Sequence, residues 1–213
     1  MKVMNNIIYS IYSPGCKQLD LNYDKIKRRH EQYAVSVYAS YVCFHYDSMD
    51  YNELQFKKLF LLEHMSQYAN NVLYLDFDVI PTENAKNIFD MNYELAMLPL
   101  IRHESYDFKT QIKNKNHRKY NTLNKATEII FNTGVIVAND KAIYELDLKN
   151  TYPMFDGNNN EAFMTWVIES FNVQYQILPL SFNYILDEKN ATIPSDVHFV
   201  HYSNKDFTLV KAS

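Results

Sequence analysis

Between Asn71 and Ile80 the chain reads NVLYLDFDVI. Its apolar residues run on without alternation, the pattern of a strand buried on both faces. Sheets covered by helices on both faces bury their strands in this way, so the segment points toward an α/β architecture. The residues before it agree. NNIIYSIYS, from Asn5 to Ser13, reads as a first strand ended by Pro14-Gly15. NYDKIKRRHEQYA reads as a helix with a charged outer face, and VSVYASYVCFHY, rich in β-branched and aromatic residues, as a second strand. In YNELQFKKLFLLEHMSQYA, the residues Leu54, Phe56, Leu59, Phe60, Leu62 and Met65 keep close to the helical period, with Asn52 as the N-cap. The order β-α-β-α-β predicts a mainly parallel central sheet flanked by helices, and 213 residues fit one domain over 1–213.

Beyond the aspartates, NYELAMLPLIR reads as a strand, and HESYDFKTQIKNKNHRKYNTLNKA as a solvated polar loop or a mobile lid. EIIFNTGVIVAND is a strand pattern interrupted at Asn132-Thr133-Gly134, where a glycine signals a bulge or a close backbone approach. NNNEAFMTWVIESF reads as a helix, and YQILPLSFNYI and DVHFVHYSN as strands. A net charge of −4 argues against a nucleic-acid partner. Cys16 and Cys43 lack metal-type spacing and suit a reducing compartment. The N-terminus is a poor signal peptide, and no apolar run reaches the ~18 residues of a membrane span. A soluble, cytoplasmic protein is expected, with room for further domains in a longer chain. The chain holds only three glycines, so neither a dinucleotide fingerprint nor a P-loop is present. Any diphosphate it handles must be neutralised by a metal and side chains.

Asp76 and Asp78 stand where the buried strand ends, the edge at which open α/β sheets take their ligands. In an extended segment, residues i and i+2 share a face, so the two carboxylates converge. Repulsion at that separation would raise one pKa sharply unless a cation sits between them. Mg²⁺ and Mn²⁺ prefer such oxygen ligands. The plainer alternative is that both aspartates cap the next turn.

YLDFDVIP resembles the DxD strand of GT-A-fold glycosyltransferases. Three later segments match that family in the same order: FNTGVIVAN (Phe131 to Asn139), NNEAFMTWV (Asn159 to Val167) and FVHYSNKDF (Phe199 to Phe207). The likeness spans Gln55 to Phe207 and is strongest toward small retaining enzymes of the galactosyltransferase and glycogenin type. Asn- and Lys-rich, glycine-poor members from large DNA viruses, including chlorella viruses, are also similar, which would place the protein in a host cytoplasm. The resemblance implies transfer of a sugar, a hexose or deoxyhexose, from a UDP-sugar to a hydroxyl of a glycan or glycoprotein acceptor, with Mn²⁺ or Mg²⁺ and with retention of configuration. It puts nucleotide binding at about 1–80 and the acceptor side at about 100–185.

Carried over by position, the resemblance makes Asp78 a direct metal ligand, Asp76 a ligand of the metal or the donor ribose, and His201 the remaining protein ligand. A His in HFVHY could equally be a strand-edge residue, and His198 faces the other way on an ideal strand. Lys205 matches the lysine at the donor diphosphate, and Lys57, on the helix before the DxD strand, offers a second cation. Asn132 and Thr133 would line the sugar site, and Tyr12 could stack on the donor base. Asn160 takes the position of a glutamine near the sugar's reactive face, in place of the usual Asp-Gln pair. An amide cannot act as a base. An inverting reaction would therefore need Asp156 or Glu161 to take the acceptor proton. Asn158 to Glu161 also suit a plain helix N-terminus. Ser203-Asn204 replace the family's glycine before Lys205, and Asp206-Phe207 its Pro-Trp. LPLSFNYI resembles another family segment, in which Asn183 would be structural.

Two other classes compete. A haloacid-dehalogenase-type phosphatase also places D-x-D after an apolar strand, but Ile80 stands where its threonine should be and no Asp-Asp dipeptide occurs. A sugar-binding module on the same fold, without turnover, is the non-enzymatic alternative. A sugar-nucleotide pyrophosphorylase would need a glycine-rich N-terminal loop, which IIYSIYSPG is not.

Overall fold

The computed structural model describes residues 4–47, 51–99, 130–155, 159–186, 192–203 and 206–207, without the side chains of 51 and 52. The polar segment from His103 to Ala126 lies outside these residues. In chain order the described strands are β1 (Met4–Tyr12), β2 (Ser40–His45), β3 (Ala69–Leu75), β4 (Val79–Pro81), β5 (Leu95–Pro99), β6 (Phe131–Asn139), β7 (Gln176–Ile177), β8 (Tyr184–Leu186) and β9 (Phe199–Tyr202). The α-helices are α1 (Lys17–Leu21), α2 (Tyr23–Ser36), α3 (Tyr51–Ser66), α4 (Asp140–Leu146), α5 (Leu148–Thr151) and α6 (Asn160–Ser170).

The fold is α/β, with a central six-stranded sheet in the order β2-β1-β3-β6-β5-β7. The expected mainly parallel sheet holds for strand direction with one exception. Strands β2, β1 and β3 pair in parallel, as do β5 and β7, while β6 runs antiparallel to both β3 and β5. A second sheet, β4-β9-β8, sits beside it. The chain passes from β3 in the large sheet to β4 in the small one across only Asp76, Phe77 and Asp78. Those aspartates therefore occupy the seam between two sheets.

Alternation along β3 explains its unbroken apolar sequence. Val72 and Tyr74 face one core with Phe56, Leu59, Leu62 and Met65 of α3, and Leu73 and Leu75 face a second core with Tyr33 and Ala34 of α2. Each fully buried leucine contributes roughly 1.5–3 kcal/mol of transfer free energy. A third, aromatic cluster joins Tyr12, Phe77, Val200 and Tyr202 around the small sheet.

Three sequence expectations needed correction. The strand expected to start at Val35 is the end of α2, which runs on to Ser36. Val35 and Tyr38 are exposed while Ala34 and Val37 are buried, a helical rather than alternating pattern, and Tyr38 closes the helix with φ 54°. YQILPLSFNYI is not one strand. Pro179 lacks the donor a ladder needs, and a 3₁₀ turn over Leu180–Phe182 carries the chain from β7 in one sheet to β8 in the other. Asn52 lies inside α3, which starts at Tyr51, so it is not the cap. Among the described residues no helix is long and apolar enough to cross a membrane.

Candidate active site

Asp76 and Asp78 converge through a turn, not through the extended geometry expected of them. The Val79 N–H donates to the Asp76 carbonyl at 2.9 Å, closing the turn. The Asp76 N–H donates to the Gly134 carbonyl at 2.8 Å, tying it to β6, and the Asp78 carbonyl accepts from the Tyr202 N–H at 2.9 Å, tying it to β9. Phe77 points away between them, into the aromatic cluster with Tyr12, Tyr23 and His30. One apolar side chain thereby anchors the turn that aims both neighbouring carboxylates at the cavity.

His201 arrives from the small sheet, where it is in register with Val79 of β4 and Ile185 of β8. Ligand atoms of Asp76, Asp78 and His201 lie within 4.8 Å of one another. The imidazole Nε2 is 3.6 Å from an Asp78 carboxylate oxygen, and both side chains are nearly enclosed. Two carboxylates and an imidazole gathered this closely fit a divalent cation. The oxygens suit a hard divalent ion such as Mg²⁺ or Mn²⁺, and an imidazole can complete such a set. His198 lies off this cluster, its ring packed on Phe182 at 4.6 Å, and burial lowers its pKa.

Asp76 has a second set of partners. Lys58 is buried on α3 and donates to the Asp76 carboxylate at 3.1 Å and to the Thr133 carbonyl at 3.2 Å. The Tyr74 hydroxyl donates to the same carboxylate oxygen. Burial, reinforced by the Asp76 charge, pushes the Tyr74 phenol well above its ordinary pKa, so it remains a donor. Asp76 is thus fixed in orientation by a cation and a phenol on one side and can face a ligand with the rest.

The remaining wall comes from β6 and the start of α6. Asn159 caps α6, its side chain accepting from the Ala162 N–H at 2.8 Å. Asn160 is buried and donates from its amide to the Thr133 hydroxyl at 2.9 Å. Glu161 accepts from the Asn132 amide at 3.1 Å. Burial pushes its carboxyl up, and Lys58 partly offsets this. The helix-start and site readings of this segment are therefore compatible, since the cap is Asn159 and the residues after it face the cavity.

Gly134 answers the question its place in a strand raised. A Cβ there would stand 2.6 Å from the His201 Cε1 and 2.9 Å from the Asn132 Oδ1, so the backbone must be bare for the imidazole to lie against it.

These groups line a cavity of about 640 Å³, the ordinary size of a small-molecule site. It takes in Tyr12, Asp76, Asp78, Asn132, Thr133, Asn160, Glu161 and His201 from the residues expected from sequence. Lys57 does not line it. Its ammonium lies 5.7 Å over the Tyr46 ring, and Lys58, one residue or about 100° further round the helix, points in instead. Tyr12 is buried, its hydroxyl donating to Asp20 at 2.7 Å and its ring packed on Tyr23 and Phe77, so it supports the wall rather than offering an open stacking face. Asp156 and Lys205 lie outside the described residues. Sequence reasoning missed Lys58 and Tyr74, and it placed Asn183 only as a structural residue. The first two had a signal: Lys58 belongs to the same helix turn as Lys57, and Tyr74 shares a strand face with Asp76.

The mixed central sheet flanked by helices is the fold of the GT-A glycosyltransferases. Solved structures of that class overlay the chain. One is the glycosyltransferase involved in glycosylation of the major capsid of PBCV-1 (TM-score 0.60, 16% identity, 93% of each chain covered). Another is mouse xyloside xylosyltransferase 1 in its apo form (TM-score 0.55, 10% identity, 94% of this chain and 98% of the other). At these identities the likeness is one of fold. No curated protein sequence matches the chain. The family model of glycosyl transferase family 8 matches residues 15–206, and the chain belongs to that family. It is a glycosyltransferase.

Proposed function

We propose that the enzyme moves a sugar from a UDP-linked donor to a hydroxyl of a glycan or glycoprotein acceptor, with a divalent cation, Mn²⁺ or Mg²⁺, held by Asp76, Asp78 and His201. The observation that carries this reading is the gathering of those ligand atoms within 4.8 Å at the sheet seam. The cation, when bound, would supply positive charge to the departing diphosphate. Lys58 adds a fixed positive charge beside it, replacing the backbone amides that a glycine-rich loop would provide. The structural neighbour involved in capsid glycosylation supports an acceptor carried on a protein.

On the sugar side, Asn132, Thr133, Asn160 and Glu161 offer hydrogen-bonding groups. Asn160 cannot take a proton, so it orients. Retention of configuration is the favoured outcome, with the leaving diphosphate oxygen receiving the acceptor's proton. Glu161 keeps inversion open, because it is a carboxylate at the cavity wall, with its pKa raised by burial. NMR of the product's anomeric proton separates the two. Lys205 and Asp156 keep the roles proposed from sequence, at the diphosphate and as the other candidate base. A phosphatase, with Asp76 as nucleophile, is disfavoured by Ile80 at the place of its threonine and by the match to glycosyl transferase family 8.

The test is calorimetry of UDP with and without Mn²⁺. Wild type should bind UDP far more tightly with Mn²⁺, and Asp78→Ala should lose that gain while remaining folded. Equal affinity in the two proteins, or full transfer activity in excess chelator, would end the proposal.

A further inference from the structure

A chain of side-chain amides runs behind the candidate metal ligands, and one backbone proton determines every donor in it. The Gly134 N–H can only donate, so the Asn132 side-chain atom 2.9 Å away is its oxygen. The Asn183 atom facing that oxygen at 2.8 Å must then be its NH₂ group. The other end of the Asn183 amide is therefore an oxygen, and it faces the His201 Nδ1 at 3.1 Å. That nitrogen must carry a proton to donate. In the neutral ring this leaves the lone pair on Nε2, the atom nearer Asp78. At the far end, the Asn132 NH₂ donates to Glu161 at 3.1 Å. Every bond in the chain points from His201 toward Glu161. Asn183 is fully buried, and Asn132 and His201 nearly so, which leaves little water to substitute for a missing partner.

We infer that Asn183 is a positioning residue that locks His201 in its Nδ1–H tautomer and presents Nε2 as a ligand, and that Asn132 couples this lock to the sugar-side carboxylate of Glu161. The relevance to the cation rests on the functional reading above; the proton arrangement does not. Metal-bound histidines commonly need such a partner on the second nitrogen, and its loss weakens metal binding by ~10–100-fold.

The experiment begins with metal-free wild-type protein and long-range proton–nitrogen NMR of its imidazoles, the His201 signals being assigned by their loss in His201→Gln. The expected spectrum shows a protonated Nδ1. Asn183→Ala should release the ring toward the Nε2–H tautomer and weaken Mn²⁺ binding in the presence of UDP, read by the signal of free Mn²⁺, by ~10–100-fold. Asn183→Asp keeps an acceptor for the Nδ1–H but loses the donor to Asn132. It should retain the tautomer and bind Mn²⁺ more tightly than Asn183→Ala, even where its urea midpoint is lower. Affinity that follows the midpoint instead of the tautomer would reduce Asn183 to a structural part and overturn the proposal. An unprotonated Nδ1 in the wild type would overturn it without any variant. Wild type that shows the Nδ1–H form but takes up no Mn²⁺ with UDP would support the lock and sink the cation reading.

Discussion

Substituting Gly134 by alanine tests the site at its tightest point. The added methyl would stand 2.6 Å from the His201 Cε1 and 2.9 Å from its Nδ1. Carbon atoms rest at roughly 3.5–4.0 Å, so the ring must retreat by on the order of 1 Å. The backbone of His201 cannot follow easily, because β9 is paired on both sides, to β4 and to β8. The retreat must come from a rotation of the ring, which moves Nε2 and strains the bond to Asn183. Metal sites tolerate about ±0.2 Å in ligand distance, so a shift of that size takes His201 out of a shared coordination sphere. The Asn132 oxygen, at 2.9 Å from the new carbon, is displaced as well. Overpacking of this kind costs about 1–3 kcal/mol, which a domain of ordinary stability survives. The expected result is a folded protein with a lowered urea midpoint and a Mn²⁺-dependent UDP affinity reduced by at least ~10-fold. Calorimetry with and without Mn²⁺ reads the second quantity directly. Unchanged Mn²⁺-dependent affinity would refute the claim that close approach of His201 to a bare backbone builds the site.

Other outcomes follow from the same geometry. Lys57→Met should leave stability and donor binding within ~0.5 kcal/mol of wild type, as at an ordinary surface position. Lys58→Met should cost about 1.5–3 kcal/mol in urea unfolding and weaken UDP binding, because it strips a charged hydrogen-bond partner from Asp76; equal effects of the two substitutions would refute the assignment of Lys58 to the site. His30 is buried and donates to the Val79 carbonyl, and burial lowers its pKa to about 4. The unfolded chain takes up that proton near the ordinary value of ~6.5. Stability attributable to this group should be full above that pH and fall by about 3 kcal/mol as pH drops through ~6.5 toward ~4, since the unfolded state binds more protons there. Urea titrations across this range should show the slope, and His30→Gln should remove it.

The DxD pair was legible because two carboxylates after an unbroken apolar run have few physical explanations. The manner of convergence was not. Sequence spacing suggested a straight strand, while the structure uses a turn held by Gly134 and Tyr202, whose nearness depends on two sheets meeting. Lys57 and Lys58 show the same limit on a smaller scale. Adjacent lysines on one helix differ only in azimuth, and azimuth is set by the packing of Phe56, Leu59 and Leu62 on β3, which a periodicity reading resolves to about one residue. β-branched and aromatic content misled the reading at Val35 to Tyr38, where tertiary burial of Ala34 and Val37 kept the helix going. The antiparallel β6 carried no sequence mark, because a strand buried on both faces looks alike in either direction. For Asn183 the sequence offered only a structural role, since its partners Asn132 and His201 stand 51 and 18 positions away.

The seam at Asp76–Phe77–Asp78 has a mechanical corollary. Asp76 is anchored to the large sheet, whereas Asp78 and His201 take their positions from the small one. Anything gripped by all three acts as a rivet through both sheets, and its free energy of capture becomes resistance to prying them apart. Loading the pocket should therefore slow amide exchange in β8, at the rim of the small sheet and remote from the carboxylates themselves.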